Sequence, residues 1–196
     1  MKDLLIATNN SGKVREFKTM LNGISFNLVT PRDIHLSLDV EESGRTYDAN
    51  AELKARAFCQ ASGLLTLADD SGLEVDALNG EPGIRSARYA GEQATDEQKV
   101  AFLLSKLKDI PQGKRTARFR CVIAILQPGQ PVIFCRGKCE GYITFEPRGR
   151  LGFGYDPVFY FPELGQTMSE LTEEVKNRVS HRGHATQEAV RVLQKL

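Results

Sequence analysis

The sequence predicts an α/β protein with a mixed β-sheet flanked by helices. Apolar segments of strand length alternate along the chain with segments whose apolar residues recur at helical spacing. Two of the strand-like segments also follow each other directly, joined by a QPGQ segment at residues 127–130 that is typical of a hairpin turn. Neither a repeat nor a low-complexity segment interrupts this order. Alternation of this mixed kind favours an α/β domain with a mixed sheet.

Five strands and five helices are predicted. The strands are short apolar segments bounded by turn-forming residues, and they cover residues 3–7, 25–30, 64–68, 115–126 and 132–142. The helices cover a segment from Lys13 onward and residues 47–61, 96–107, 169–178 and 184–195. Ala51, Ala55 and Phe58 share one face of the helix over 47–61. Thr95 is positioned to be the N-cap of the helix that follows it.

Length and charge limit the class of protein. A chain of 196 residues can bury a large core and suits a single domain over residues 1–196, with room for two lobes. Its 26 lysines and arginines balance 25 aspartates and glutamates, so the charge gives no reason to expect nucleic acid or an anionic membrane as partner. No apolar segment approaches the ~20 residues of a membrane span, and the N-terminal one is too short for a signal peptide. We therefore expect a cytoplasmic protein.

The cysteines and histidines form no recognisable metal-ligand pattern. The cysteines lack a Cys-x2-Cys pair, and free cysteine behaves as a small apolar residue; they are Cys59, Cys121, Cys135 and Cys139. His35 is isolated, and His181 with His184 lacks the glutamate of a metalloprotease helix. We expect neither a structural zinc site nor metal ligation by histidine.

Two neighbouring carboxylates, Asp69 and Asp70, follow the predicted strand over 64–68 and precede a serine and a glycine. Because side chains alternate between the two faces of a strand, the carboxylates should point in different directions unless the chain turns there. One of them can then bind a metal ion while the other faces water or a helix end. The alternative is an ordinary polar turn, since Asp, Ser and Gly are all turn residues.

A polar, glycine-containing loop, TNNSGK at residues 8–13, joins the first strand to the first helix. The free N–H groups and the positive end of a helix dipole suit a phosphate group, and Lys13 adds a full positive charge. The spacing is not that of a Walker loop. Alternatively, one of Thr8, Asn9 and Asn10 simply caps the helix.

A second acidic segment, Glu41 and Glu42, lies just before the helix that carries Asn50 and Lys54. A carboxylate from this loop, together with one from the aspartate pair, would supply the oxygen ligands that Mg²⁺ prefers and leave positions for water and substrate phosphates. The alternative is that both glutamates are solvated loop charges. A calcium loop is excluded, because reading it from the first aspartate puts Leu73 at a ligand position.

Two C-terminal segments suit a nucleobase. Residues 152–157, GFGYDP, set aromatic rings among glycines, where another group can approach the backbone closely. Residues 180–183, SHRG, place a planar guanidinium next to an imidazole. A stacking ring and an arginine at the base edge would recognise a flat, hydrogen-bonding ligand. Alternatively, Phe153 is a core residue, Asp156 a turn residue and Arg182 a surface charge.

These motifs together resemble the inosine/xanthosine triphosphate pyrophosphatase family, whose members hydrolyse deaminated purine nucleoside triphosphates to the monophosphate and pyrophosphate. The resemblance runs from Thr8 to about Ala185 and keeps the family's order. Its motifs are TNNSGK at 8–13, ESG at 42–44, NAELKA at 50–55, ADDSGL at 68–73, PGI at 82–84, SARY at 86–89, GFGYDP at 152–157, K at 176 and SHR at 180–182. The chain departs from some relatives at Asn9, where they have glycine, and at Tyr155, where they have tryptophan.

The resemblance implies a role for each matching residue. The residues it assigns to the triphosphate and its surroundings are Thr8, Asn9, Asn10, Ser11, Gly12, Lys13, Lys54 and Ser71. Those assigned to the base are Phe153, which stacks on it, and Gly154, Tyr155, Asp156, Lys176, His181 and Arg182. Glu42 and Asp70 would bind Mg²⁺, at least one ion per subunit, and Asp70 together with Asp69 would accept the proton of the attacking water. The family further implies a homodimer and a long sheet that separates two lobes, with substrate in the cleft between them.

Hydrogen-bond polarity gives a reason for base selection. Hypoxanthine and xanthine present an acceptor oxygen where adenine presents an amino donor, and Arg182 has donors only. Adenine would leave two donors facing each other, and a buried mismatch of that kind rejects an analogue strongly. Two other functions stay open: a related pyrophosphatase acting on pyrimidine or modified triphosphates, and a non-enzymatic nucleotide sensor. The acidic residues speak against the sensor, because an anion-binding site gains nothing from them without metal chemistry.

Overall fold

The structure, a computed structural model, describes residues 1–196. Its strands are β1 (Lys2–Ile6), β2 (Phe26–Val29), β3 (Leu65–Val75), β4 (Thr116–Leu126), β5 (Ile133–Ile143), β6 (Phe159–Phe161) and β7 (Gln166–Thr167). Its α-helices are α1 (Ser11–Met20), α2 (Tyr47–Ser62), α3 (Asp96–Lys106), α4 (Glu173–Val179) and α5 (His181–Leu193). All five predicted strands and all five predicted helices are present, and the short strands β6 and β7 were not predicted.

The seven strands form one sheet in the order β2-β1-β3-β4-β5-β6-β7. β1 pairs in parallel with both β2 and β3, whereas β6 pairs antiparallel with both β5 and β7. Parallel pairing of β1 with its neighbours requires crossovers, which α1 and α2 supply. The predicted α/β fold with a mixed sheet is confirmed.

The chain divides into two compact units. The first contains residues 1–70, 121–137 and 181–196, and the second contains residues 71–120 and 138–180. The first unit has a core that includes Leu4, Phe17 and Leu67. The second unit has a core that includes Leu73 and Phe159. The single domain over residues 1–196 and the substrate cleft stay predictions from the sequence.

The aspartate pair lies inside a strand and not in a turn. β3 continues through Asp69, Asp70, Ser71 and Gly72 to Val75, so the polar-turn alternative is wrong. β3 lies between β1 and β4 in the sheet, and this placement in the tertiary structure overrides the turn preference of these residues. The two carboxylates therefore alternate in direction along the strand, as the sequence predicted.

The helix boundaries near the C-terminus differ from the predicted ones. The helix predicted from residue 169 begins at Glu173, because residues 168–170 form a short 3₁₀ turn and Thr172 then caps α4 by accepting from the Val175 N–H. The helix predicted from residue 184 begins at His181, which puts Arg182 in its first turn. α1 likewise begins at Ser11, before Lys13.

All four cysteines are free and buried, as expected of small apolar residues. Cys121 and Cys135 belong to the core of the first unit, and Cys139 belongs to the core of the second. None of the helices combines the length and the apolar composition needed to cross a membrane.

Candidate functional site

The loop between β1 and α1 ends in a capped helix N-terminus. Asn10 is the N-cap: its Oδ1 accepts from the Lys13 N–H at 3.0 Å, and its own N–H donates to Thr8 Oγ1 at 3.2 Å. The first-turn N–H groups of Ser11 and Gly12 have no acceptor within the helix. Thr8, Asn9 and Ser11 line an open cavity of about 930 Å³. This loop can therefore offer N–H and hydroxyl donors to an anion.

Asp69 is enclosed by positive charge in the first unit. Its side chain is fully buried, and its Oδ2 lies 2.9 Å from Lys13 Nζ and 3.5 Å from Arg182 Nη2. Burial alone would raise the pKa of Asp69, but the charges of Lys13, Arg182 and Lys54 hold it well below its usual range. Asp69 Oδ1 has no hydrogen-bond partner. This carboxylate stays ionised and is a weak base.

Asp70 lies in the opposite electrostatic situation. Its Oδ2 accepts from Asn50 Nδ2 at 3.2 Å, and its Oδ1 lies 3.5 Å from Lys54 Nζ. Burial, together with the negative charges of Glu42 and Asp69, raises the pKa of Asp70 above its usual value despite Lys54 and Lys13. A carboxylate with a raised pKa is a better proton acceptor and gains more from a nearby cation than one already neutralised.

Glu42 and Asp70 converge on one cationic centre. Lys54 Nζ lies 2.5 Å from Glu42 Oε1 and 3.5 Å from Asp70 Oδ1. Burial would lower the pKa of Lys54, but Asp70, Asp69 and Glu42 together raise it. Although the residues are far apart in the sequence, two carboxylates thus share a position that a cation already occupies. No cluster of three or more Asp, Glu, His or Cys side chains is placed to share one ion.

Asn50, which the sequence analysis did not include among the site residues, positions this acidic pair. It is fully buried in the second turn of α2, donates to Asp70, and accepts from the Gly44 N–H at 2.8 Å. A Cβ at Gly44 would lie 2.5 Å from Asn50 Oδ1, so the close approach of the loop needs a glycine. An asparagine on the apolar, alanine-rich face of a predicted helix is the signal that could have identified it.

Arg182 is buried and bound to carboxylates, so the alternative of a surface charge is wrong. Its Nη1 donates to Glu16 Oε2 at 2.7 Å and its Nη2 to Asp69 Oδ2 at 3.5 Å, all within the first unit. Glu16, only 3% exposed on α1, is a second residue that the sequence analysis missed. His181, also predicted for the base, is buried beside Arg182 at the start of α5.

The predicted base residues of the second unit meet at the loop over residues 152–157, which Lys176 of α4 contacts. The Phe153 N–H donates to Asp156 Oδ2 at 2.9 Å, and Lys176 Nζ forms an ion pair with the same carboxylate. Lys176 Nζ also lies 4.7 Å from the centroid of the Phe153 ring. The Tyr155 hydroxyl donates to the Ser86 carbonyl at 3.0 Å, and burial raises the pKa of this phenol. Tyr155 is therefore an anchored core residue and not an exposed ring.

Ser71 follows Asp70 in β3 as the first residue of the second unit and is half-buried. Gly154 has a positive φ of 61°, and Gly152 one of 80°. A Cβ at Gly152 would lie 2.1 Å from Asp156 Oδ2, so the carboxylate fills the space that a side chain would need.

Comparison with known proteins gives consistent matches over nearly the whole chain. A family model described as the Ham1 family matches residues 4–192. A dITP/XTP pyrophosphatase of Halalkalibacterium halodurans is 50% identical over 185 residues, which are 94% of this chain and 95% of that protein. The Bacillus subtilis dITP/XTP pyrophosphatase is 45% identical over 194 residues, 99% of this chain and 98% of that one.

Two solved structures share the fold along its length. A HAM1 protein from Coxiella burnetii is 39% identical, has a TM-score of 0.90 and is covered over 100% of both chains. The Ham1 protein of Staphylococcus aureus is 42% identical, has a TM-score of 0.88 and is covered over 99% of both chains.

Proposed function

The chain belongs to the Ham1 family, and on this premise we propose that it hydrolyses the deaminated purine nucleoside triphosphates ITP, dITP and XTP to the monophosphate and pyrophosphate. The family resemblance read from the sequence motifs is thereby confirmed. The observation that carries the proposal is the convergence of Glu42 and Asp70 on one cationic position. A paired carboxylate site beside a phosphate-binding loop serves hydrolysis of a phosphoric anhydride and is of no use to a protein that only binds anions.

Glu42 and Asp70 fit Mg²⁺ as a partial set of ligands. Magnesium is usually held by one or two carboxylates and completes its octahedron with water and substrate phosphates, so a third protein ligand is not required. Burial, and after it the negative charges of Glu42 and Asp69, raise the pKa of Asp70 despite Lys54 and Lys13, so a divalent ion beside this carboxylate would be favoured. When bound, Mg²⁺ would neutralise charge on the phosphate oxygens and on the leaving pyrophosphate.

Residues of the chain itself would bind the phosphate chain of the substrate during hydrolysis. Thr8, Asn10 and Lys13, with the first-turn N–H groups of Ser11 and Gly12, would hold the phosphate chain at the N-terminus of α1. Water attacks the α-phosphorus, a P–O bond to that water forms, and the bond to the bridging oxygen of pyrophosphate breaks. Lys54 would move its positive charge from the carboxylates toward the phosphates when the ion binds, because a cation and an ammonium repel each other at one position.

Asp70, and not Asp69, is the better candidate to accept the proton of the attacking water. The pKa of Asp69 is held low by Lys13 and Arg182, whereas burial and Glu42 raise the pKa of Asp70. Bound Mg²⁺ would lower the pKa of Asp70, but Asp69 would remain paired with Lys13 and Arg182. We assign Asp69 the role of fixing the positions of Lys13 and Arg182.

The base contacts follow from the family pattern. Phe153 would stack on the base, and Asp156 and Lys176 would meet its polar edge. The family pattern also assigns His181 and Arg182 to the base. A homodimer and a cytoplasmic location belong to the same proposal, and neither nucleic acid nor a membrane is expected as partner.

Turnover of a nucleotide panel tests the function. Purified protein is given ITP, dITP, XTP, ATP, GTP, dTTP and UTP, with Mg²⁺ or with a chelator, and pyrophosphate and orthophosphate are assayed separately. We expect pyrophosphate from ITP, dITP and XTP only, and only with Mg²⁺. Release of orthophosphate alone, preference for a pyrimidine nucleotide, or tight binding without turnover would overturn the proposal.

A matched pair of variants tests the acidic site. Glu42→Gln removes a carboxylate that contacts Lys54, whereas Glu41→Gln removes its exposed neighbour in the same loop. We expect Glu42→Gln to lower kcat/KM for ITP by roughly a hundredfold and to raise the Mg²⁺ concentration needed for half-maximal activity. Glu41→Gln should change neither. Equal behaviour of the two variants would remove Glu42 from the metal site.

A further inference from the structure

We infer that Asp96, the first residue of α3, is a positioning residue that holds the loop over residues 152–157 so that Phe153 presents its ring to the base. The inference rests on the proposed function, because it concerns how the base of that substrate is recognised. It adds a residue that none of the base-recognition motifs contains.

Asp96 binds the backbone of this loop directly. Its Oδ2 accepts from the Gly154 N–H at 2.7 Å, and its Oδ1 accepts from Lys99 Nζ at 2.9 Å. The bonded N–H belongs to the residue that follows Phe153. A hydrogen bond with an ionised acceptor is about twice as strong as a neutral one, so this contact fixes the peptide next to the ring.

The loop needs such fixing because its backbone is permissive. Gly152 and Gly154 flank Phe153, and both have positive φ values that glycine can leave at little cost. Several contacts oppose this freedom, and three of them are Phe153 N–H with Asp156, Gly154 N–H with Asp96, and the Tyr155 hydroxyl with the Ser86 carbonyl. Among the three, only the contact of Asp96 joins a side chain outside the loop to the loop backbone.

The helix itself does not need the Asp96 carboxylate for its cap. Thr95 and Gln98 form a complete capping box: Thr95 Oγ1 accepts from the Gln98 N–H at 3.3 Å, and the Thr95 N–H donates to Gln98 Oε1 at 2.8 Å. Glu97 supplies a second acidic side chain in the same turn, and it is exposed. The Asp96 side chain is therefore available to the loop, and Glu97 offers a control with the same charge in the same helix turn.

The experiment compares Asp96→Ala with Glu97→Ala in the full-length protein. Both remove one negative charge from the first turn of α3, but only the first removes the acceptor of the Gly154 N–H. We expect Asp96→Ala to raise KM for ITP about tenfold and to leave kcat within about twofold, because phosphate chemistry is untouched while the base is held less firmly. The preference for ITP over ATP should also shrink. Glu97→Ala should match wild type in each respect.

Two further measurements separate positioning from general stability. Amide hydrogen exchange of the peptide over residues 152–156 should be faster in Asp96→Ala and unchanged in Glu97→Ala. Asp96→Asn keeps an oxygen acceptor for the Gly154 N–H, so its KM for ITP should lie close to the wild-type value. Lys99→Met should change KM little.

The outcomes are distinct. If wild-type protein does not release pyrophosphate from ITP, the proposed function fails and this inference fails with it. If wild type is active but Asp96→Ala and Glu97→Ala have the same KM, the proposed function stands and the role of Asp96 is overturned. A fall in kcat with unchanged KM would also overturn it, because a residue that positions the base acts on binding.

Discussion

Asp69 and Asp70 are consecutive residues of β3, and their carboxylates lie in opposite electrostatic surroundings. Asp69 is fully buried between Lys13 and Arg182, whose nitrogens lie 2.9 and 3.5 Å from its Oδ2, so two positive charges face its one negative charge. Asp70 reaches one ammonium, Lys54, which Glu42 also contacts. The comparison shows that identical side chains on the two faces of one strand can lie in different surroundings. On one face positive side chains balance the carboxylate, and on the other the carboxylate can still gain from a proton or a cation.

The largest effect is expected from Asp70→Asn. The amide can neither accept the proton of the attacking water nor bind a divalent ion as a carboxylate does, so kcat for ITP should fall roughly a thousandfold. The free energy of unfolding should stay the same or rise, because the ionised carboxylate is buried with too little positive charge around it. Pyrophosphate release and urea unfolding measure the two quantities. A kcat within tenfold of wild type would remove Asp70 from the chemistry.

Asp69→Asn, in contrast to Asp70→Asn, should lower the free energy of unfolding. The change leaves Lys13 and Arg182 without the carboxylate they share, and loss of one member of a buried ion pair costs about 3 kcal/mol of unfolding free energy. Asp39→Asn, at an exposed aspartate of the same unit, is the control and should change stability by less than about 0.5 kcal/mol. If Asp69→Asn is as stable as wild type, Asp69 is not the structural carboxylate of the pair.

Lys54→Met tests whether the ammonium stands where a cation would bind. Without Lys54, the two carboxylates have no compensating charge, so metal-free protein should lose about 1–2 kcal/mol of stability. Added Mg²⁺ should restore more stability to this variant than to wild type, since it no longer displaces an ammonium. Thermal unfolding with Mg²⁺ or chelator gives the comparison, and Lys18→Met, at an exposed lysine, is the control. Equal Mg²⁺ stabilisation of wild type and Lys54→Met would contradict the shared position.

The sequence predicted much of this comparison, because it rests on local rules. Alternation along a strand predicts that neighbouring aspartates diverge, and the sequence analysis expected a carboxylate from the loop before α2 to join one of the aspartate pair. The continuation of β3 through Asp69-Asp70-Ser71-Gly72 was not predictable from propensity. Turn-forming residues are extended there as part of a strand inside the sheet, which is a tertiary effect.

The sequence could not predict which positively charged side chain each carboxylate contacts. Lys13 was assigned to phosphate and Arg182 to a base edge, yet both contact Asp69. These partners come from α1 and α5, whose mutual packing depends on the whole core of the first unit. Glu16 and Asn50 were missed for the same reason, since a buried polar residue is recognised only when its partner is known.

The smallest effect is a difference in how the two aspartates respond to pH in metal-free protein. The native pKa of Asp69 is lowered, so its stabilising contribution is complete above the unfolded value of about 3.9 and is lost as the pH falls through the native pKa. The native pKa of Asp70 is raised by burial and by Glu42, so wild type should gain stability relative to Asp70→Asn as the pH is lowered through that native pKa toward about 4. Urea unfolding of wild type and both variants between about pH 3 and 7, with chelator present, measures the two differences. The advantage of wild type over Asp69→Asn should shrink at the acid end, while its stability relative to Asp70→Asn should improve there. If the stability differences of the two variants from wild type changed with pH in the same way, the two carboxylates would lie in equivalent surroundings, and the comparison would be wrong.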